Sequence, residues 1–435
     1  MNPSLLFPRL ILVAVIGLVY SNTFLNSFHF DDLPSILEKP WIRGLDKIPL
    51  FLNKESLFLR PLVILSFNIN YAISEFEVWS YHLFNIMLHA LATLLVYQLA
   101  RKVLNFLEDL SHKKSLDVLP FFAAMVFALH PLNTQSVTYI SSRSSIMVTV
   151  FYLSALILFF DGFKNWKQTG QKGWAYFIGS AVFFFLGGLS KEIIVTFPAM
   201  LFIFHFYFIS RETLKAWAST YAKWVFLLAI PLLTFVGYKQ FVAGGLLSAS
   251  SAHLKSSTWF LTQTSVVPFE YFRKMLFPFN MNIDVDFPVL INWLQPTHWL
   301  GIVALGLFIY FWIRISTRVS EAFEIERRFV GFGMAWILLT LLPTSSFIPL
   351  LDVAVEHRTY LPMVGLVFLM AGGFSYARKV LPARKLIQYC AVLILIFFSL
   401  GVMVRNQDWK DEVTLWSDAK KKSPNLVRPY NNVGE

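Results

Sequence analysis

Along the chain, apolar stretches alternate with short polar connections. The stretches run to roughly 17–25 residues, the length a helix needs to cross about 30 Å of hydrocarbon. About eleven stand out, near 7–25, 80–100, 119–131, 145–161, 174–190, 192–210, 224–243, 298–315, 329–347, 360–377 and 386–404. The third is short, and the fifth and sixth are barely separated. Two long polar-aromatic loops, 26–79 and 244–297, interrupt the series, and the chain turns polar from 406. The pattern predicts an all-α polytopic membrane protein, with a helical bundle in 1–405 and a soluble segment in 406–435. The first apolar stretch is too long for a signal-peptide core and lacks a small-residue cleavage site, so it is expected to remain as a span. Within the loops, 61–71 and 268–274 mix apolar and polar residues as helices lying in the interface do, whereas 280–288 carries no periodicity.

The connections also carry orientation. With a cytoplasmic N-terminus, the connections at 101–117, 162–173, 211–223, 315–328 and 377–385 each hold about three or four Lys or Arg, and those on the opposite side about one. This arrangement puts both long loops and the tail on the non-cytoplasmic side.

Composition agrees: 56% of the 435 residues are hydrophobic and only 14% are charged, against roughly 25% charged in a soluble domain. The net charge of +11 is scattered between spans and forms no basic stripe or recognition motif, which argues against nucleic acid as a partner. The single cysteine, Cys390, excludes an intrachain disulfide and a cysteine-based metal site.

Candidate chemistry gathers on the outward side. In an extended segment the adjacent Asp31 and Asp32 point opposite ways, so one can face a substrate while the other holds the loop. A carboxylate in a partly dry cleft makes a general base for a hydroxyl. A solvated pair, or a helix cap ahead of Pro34, explains the same residues. Glu356, His357 and Arg358 precede the tenth span; a guanidinium there suits a lipid-linked phosphate, and an interfacial Arg paired with Glu356 is the plainer reading. Lys191 and Glu192, held between two spans, either pair with each other or meet an anion. Arg143 sits in a run of serines that leaves room for a cavity or for close helix packing. His82, Asn85 and His89 share a helix face, as a metal or proton site or as hydrogen-bonded contacts, and His130-Pro131 makes an outward turn. Asp31 and Asp32 with Asp284 or Asp286 allow an oxygen-rich divalent-cation site, but simple loop solvation is the favoured reading, and no metal ligands are assigned. No nucleophile triad, zinc pattern or phosphate loop occurs.

The ordered set 28–32 (Phe-His-Phe-Asp-Asp), Arg60-Pro61-Leu62, 81–89, Ala128-Leu129-His130-Pro131, Leu189-Ser190-Lys191-Glu192 and 356–362 spans nearly the whole chain. It is followed by a tail with tetratricopeptide-like spacing at 415–434. Together these resemble the transmembrane-and-tetratricopeptide O-mannosyltransferases and their bacterial relatives, within the GT-C superfamily of polyprenyl-phosphate-sugar glycosyltransferases. The resemblance implies a GT-C-like bundle whose first outward loop bears the acidic motif. It implies inverting transfer of a sugar from a polyprenyl phosphate to an acceptor hydroxyl, usually Ser or Thr of a protein, with Asp31 or Asp32 as base and Asp31 the preferred one. Arg358 and Lys191, with Arg143 and His357, are expected on the donor-phosphate side, and Glu356, Glu192, Arg60, His130 and His82 in support. A bacterial inner membrane with a periplasmic site is the expected setting. A GT-C transferase for a glycolipid or polysaccharide, and a transporter of a lipid-linked substrate, are the competing readings.

Overall fold

The computed structural model describes residues 3–47, 60–111, 116, 118–170, 173–210, 215–217, 219, 254–317 and 322–434. Among them every regular element is helical. In chain order these are α1 (Pro3–Val19), α2 (Pro61–Ser74), α3 (Trp79–Ser111), α4 (Leu119–Leu129), α5 (Arg143–Thr169) and α6 (Trp174–Gly188). They continue with a helical run α7 (Glu192–Ile209), then α8 (Ser256–Val266), α9 (Pro296–Thr317), α10 (Glu324–Leu341), α11 (Pro362–Val380) and α12 (Arg384–Asp408). Two short tail helices follow, α13 (Glu412–Lys422) and α14 (Val427–Gly434). Among the described residues six helical segments are long and apolar enough to cross a membrane, and α4 and α6 are shorter apolar helices. Each expected span has its helix except the one near 224–243, which lies outside the described residues.

Local chemistry sets many boundaries. Proline stands at the start of α2, α4 and α11, where its missing N–H costs nothing. Gly170, at φ 70°, ends α5 and returns its N–H to the Trp166 carbonyl at 3.0 Å. The Asp411 carboxylate caps α13 by accepting from the Thr414 N–H at 2.8 Å, and Lys420–Lys422 face the negative end of that helix.

α5 is mostly buried, whereas α9 and α12 expose Leu300, Val303, Leu307, Leu393, Ile396 and Leu400, as lipid-facing helices do. α10 and α11 pack through Gly333 and Gly365, where a Cβ on either would overlap the other's carbonyl oxygen. The 268–274 segment is more deeply placed than a surface helix: the helical run from α8 continues to Leu276 and buries Tyr271, Lys274 and Met275. The Lys274 ammonium is satisfied by Glu356 at 2.7 Å and by Glu270. Residues 280–288 are irregular as expected.

The boundary placed at 405/406 falls inside α12, which runs on to Asp408. Asn406 is fully buried there, donating to the Val19 carbonyl and Asn22 and accepting from Thr138. Arg405 then ties Asp408 (2.8 Å) and Asp418 (3.0 Å) together, so the tail leaves the bundle at a set angle.

Candidate active site

The acidic motif lies in the loop after α1. His29 donates from its ring to the Trp409 carbonyl at 2.7 Å, and Ser27 N–H donates to the Lys410 carbonyl at 3.0 Å, so the tail holds the loop from behind. Phe30 then takes a left-handed backbone, φ 46°, which a residue with a Cβ seldom occupies and which costs about 1–3 kcal/mol. This turn separates the roles of the next two residues. Asp32 is fully buried and accepts from the His29 N–H (3.0 Å), the Ser141 N–H (2.7 Å) and the Ser141 hydroxyl. Burial pushes its pKa up to about 7 even though those donors oppose the shift. It joins the first loop to the entry of α5. Asp31 sits on the open side. Its N–H donates to the Tyr139 hydroxyl at 2.9 Å. Its carboxyl is raised above the ordinary aspartate range, chiefly by desolvation and then by the charge of Asp352, while Tyr139, Arg428 and Arg60 act the other way.

Arg60, which acts on Asp31, belongs to a group of cations from three separate parts of the chain. Arg60, also left-handed at φ 59°, donates to Ser144 Oγ at 3.2 Å and pairs with Glu192 at 3.1 Å. Lys191 donates to Ser145 Oγ at 2.6 Å. Desolvation, then the neighbouring Arg60 and Arg358, lower its pKa to about 7, with Glu192 opposing. Arg358 is nearly buried and braced by the carbonyls of Asp352 (2.8 Å) and Val353 (3.4 Å). His357 donates its backbone N–H to Gln135 Oε1 at 2.6 Å, and burial, with Lys191, Arg358 and Arg60 nearby, holds its ring neutral. Arg60, Lys191, His357 and Arg358 therefore act on one another, and Arg60 reaches Asp31 as well. Such a set can hold a phosphate.

Other expected site residues are placed elsewhere. Arg143 is fully buried between α2, α3 and α5. It donates to Asn85 (2.7 Å), Ser66 (2.9 Å), Asn70 (2.6 Å) and the Tyr81 carbonyl (3.1 Å), between the rings of Phe67 and Phe84. Its fork is spent on packing. His82 bonds the Asn26 carbonyl at 2.9 Å, and His130 joins the Met275 carbonyl to the Leu132 N–H. Glu356 is buried against Lys274 and the Asn282 N–H, while Glu192 supports Arg60. Among the described residues no group of three His, Cys, Asp or Glu could hold a metal ion. Asp284 and Asp286 instead meet Arg428 (3.5 Å) and Asn425 (2.9 Å) of the tail.

Tyr139, Gln135 and Arg428 belong to the site without having been expected in it. Their only advance signal is position, since each follows or precedes a stretch already assigned to the outward side.

Among curated proteins, Protein O-mannosyl-transferase TMTC3 of Mus musculus is 24% identical over 98% of this chain and 48% of its own length. Protein O-mannosyl-transferase F38B6.6 of Caenorhabditis elegans is 24% identical over 98% of this chain and 59% of its own. Protein O-mannosyl-transferase TMTC4 of Homo sapiens is 24% identical over 100% of this chain and 64% of its own. Over nearly its whole length the chain is similar to these proteins named as O-mannosyl-transferases. It spans about half the length of the first of these curated relatives. No family model matches this chain, and no solved structure matches it.

Proposed function

We propose that this chain is an inverting glycosyltransferase. It moves a sugar from a polyprenyl-phosphate donor to a Ser or Thr hydroxyl of a protein, at the periplasmic face of a bacterial inner membrane. The relatives' printed names make mannose the first sugar to try. One observation supports the reading: an open carboxyl, Asp31, feels Arg60, and Arg60 is clustered with Lys191 and Arg358. That is the arrangement an inverting displacement needs, a base on the acceptor side and cations on the leaving-group side.

In the reaction the acceptor oxygen attacks the sugar's anomeric carbon while Asp31 takes the hydroxyl proton. The anomeric carbon–oxygen bond to phosphate breaks, and the electron pair leaves with the polyprenyl phosphate. Arg358 and Lys191 stabilise the charge gained by that phosphate, each donor contributing about 3–4 kcal/mol in the transition state. Desolvation raises the Asp31 pKa above the ordinary aspartate range, which makes its carboxylate a stronger proton acceptor than a solvated one. Asp32 keeps the loop in place. The outward orientation is supported by the Lys and Arg excess of the opposite connections.

The test is transfer by purified protein in lipid nanodiscs, given a polyprenyl-phosphate mannose and either a Ser/Thr-rich peptide or a glycolipid acceptor. Peptide mannosylation that Arg358→Ala weakens mainly through donor KM supports the proposal. Transfer to the glycolipid alone would overturn the acceptor, and unchanged donor KM would remove the phosphate role of Arg358.

A further inference from the structure

One tail guanidinium touches three loops of the candidate site. Arg428 of α14 pairs with Asp352 at 3.1 Å and with Asp284 at 3.5 Å, and its Cζ lies 5.3 Å from the centre of the Phe30 ring. Phe30 is held from other directions by the same hairpin. The Trp416 ring meets it edge-on at 5.6 Å, and Glu412 accepts its backbone N–H at 3.1 Å. The hairpin is itself anchored on the second long loop. Ser423 Oγ donates to the Asp284 carbonyl (2.7 Å) and accepts from the Asp286 N–H (3.1 Å), and Lys422 donates to the Met281 carbonyl (2.7 Å). Beneath it Trp409, Leu415, Trp416 and Ala419 are buried against Tyr139 and Ile283. The contacts from Arg428, Trp416 and Glu412 converge on Phe30, whose backbone is in the left-handed region, and the next residue is Asp31. A strained conformation persists only where its surroundings over-determine it, and here those surroundings are the tail.

We propose that the α13–α14 hairpin is a built-in wall of the active site, with Arg428 and Glu412 as positioning residues that hold Phe30 in its turn and so aim the Asp31 carboxyl. The catalytic half of this rests on Asp31 being the base; the structural half does not. A tail that only recruits acceptors would leave the first loop indifferent to α14. A tail that forms the wall makes the first loop depend on it.

The charges around Asp31 give a second consequence. Asp31 is faced by Tyr139 from the entry of α5, by Asp352 from the loop before α11, by Arg428 from α14, by Arg60 from the start of α2, and by its neighbour Asp32. Removing Arg428 takes away one of two cations and leaves Asp352 unneutralised, so the acid limb of activity moves to higher pH. Loss of packing alone would scale the rate without moving the limb.

The experiment compares wild type, Arg428→Gln, Arg428→Lys and Glu412→Ala as full chains in nanodiscs. Amide hydrogen exchange is expected to quicken by about tenfold or more at Phe30 and Asp31 in Arg428→Gln, with the transmembrane helices unchanged. Glu412→Ala, which leaves the ion pairs intact, should quicken exchange at Phe30 in the same way. Arg428→Gln is also expected to lower kcat with donor KM unchanged and to raise the acid limb, and Arg428→Lys to return that limb towards wild type. Wild-type exchange at 28–32 in both Arg428→Gln and Glu412→Ala would overturn the proposal. If wild type transfers no sugar from any donor, the proposed reaction fails, and exchange at 28–32 then decides the positioning role by the same criterion.

Discussion

Two adjacent aspartates have opposite fates because of the residue before them. With Phe30 in a left-handed turn, the Asp32 side chain points inward to three donors and Asp31 outward to the cations. Asp31→Asn is therefore expected to lower transfer by about 10²–10⁴-fold with the thermal midpoint unchanged, the range for loss of a general base. Asp32→Asn places an amide NH2 among donors and leaves some without an acceptor, costing about 1–3 kcal/mol of stability. A fall in midpoint for Asp32→Asn, and none for Asp31→Asn, checks the division of labour. The pH profile follows from the same environment. Protonation of Asp31 removes the base as pH falls through a pKa above the ordinary aspartate range. Deprotonation of Lys191 removes a phosphate partner as pH rises through about 7. A bell-shaped kcat/KM should result, and Lys191→Gln should lower its plateau and abolish the alkaline limb near 7.

At the scale of elements, the site depends on helices joined by buried polar groups. Arg143 binds α2, α3 and α5 through one planar fork, and a lysine at that position has neither the shape nor the number of donors to replace it. Arg143→Lys should lower the thermal midpoint, since each abandoned buried acceptor costs about 1–3 kcal/mol. Donor KM in the protein that remains folded should stay near wild type, because this guanidinium is away from the open face. A stable variant with a raised donor KM would return Arg143 to the phosphate side. Arg405 plays a comparable part at the other end of the site, where its ties to Asp408 and Asp418 set the direction in which the tail departs.

At the scale of the whole molecule, the residues of the site come from the first loop, the starts of α2, α5, α7 and α11, the end of α12 and the tail, all at one end of the helices. The single native cysteine offers a direct test of which side that end faces. In a Cys390→Ser background, Ser35→Cys should react with a membrane-impermeant maleimide applied from the periplasmic side, and Gln168→Cys should not. The reverse pattern would invert the topology. The helices were legible in the sequence because apolar length is a local sum that neighbouring residues supply by themselves. The stretch 356–362 was legible for the same reason, as a polar cluster at the mouth of a span. The choice between Asp31 and Asp32 was open until contacts with Ser141 and Tyr139, more than a hundred residues away, assigned one to the loop and left the other open. Arg143 read equally as a cavity or a packing residue because its serines are small; only the packed helices show Asn85 and Asn70 taking up its fork. The tail read as a separate soluble segment, since nothing local to 406–434 records that Trp409, Trp416 and Arg428 close over Phe30. The sequence by itself determined a helical membrane bundle. Tertiary structure decided which groups are spent and which remain open, because burial and hydrogen-bond satisfaction depend on neighbours that the order of residues does not make adjacent.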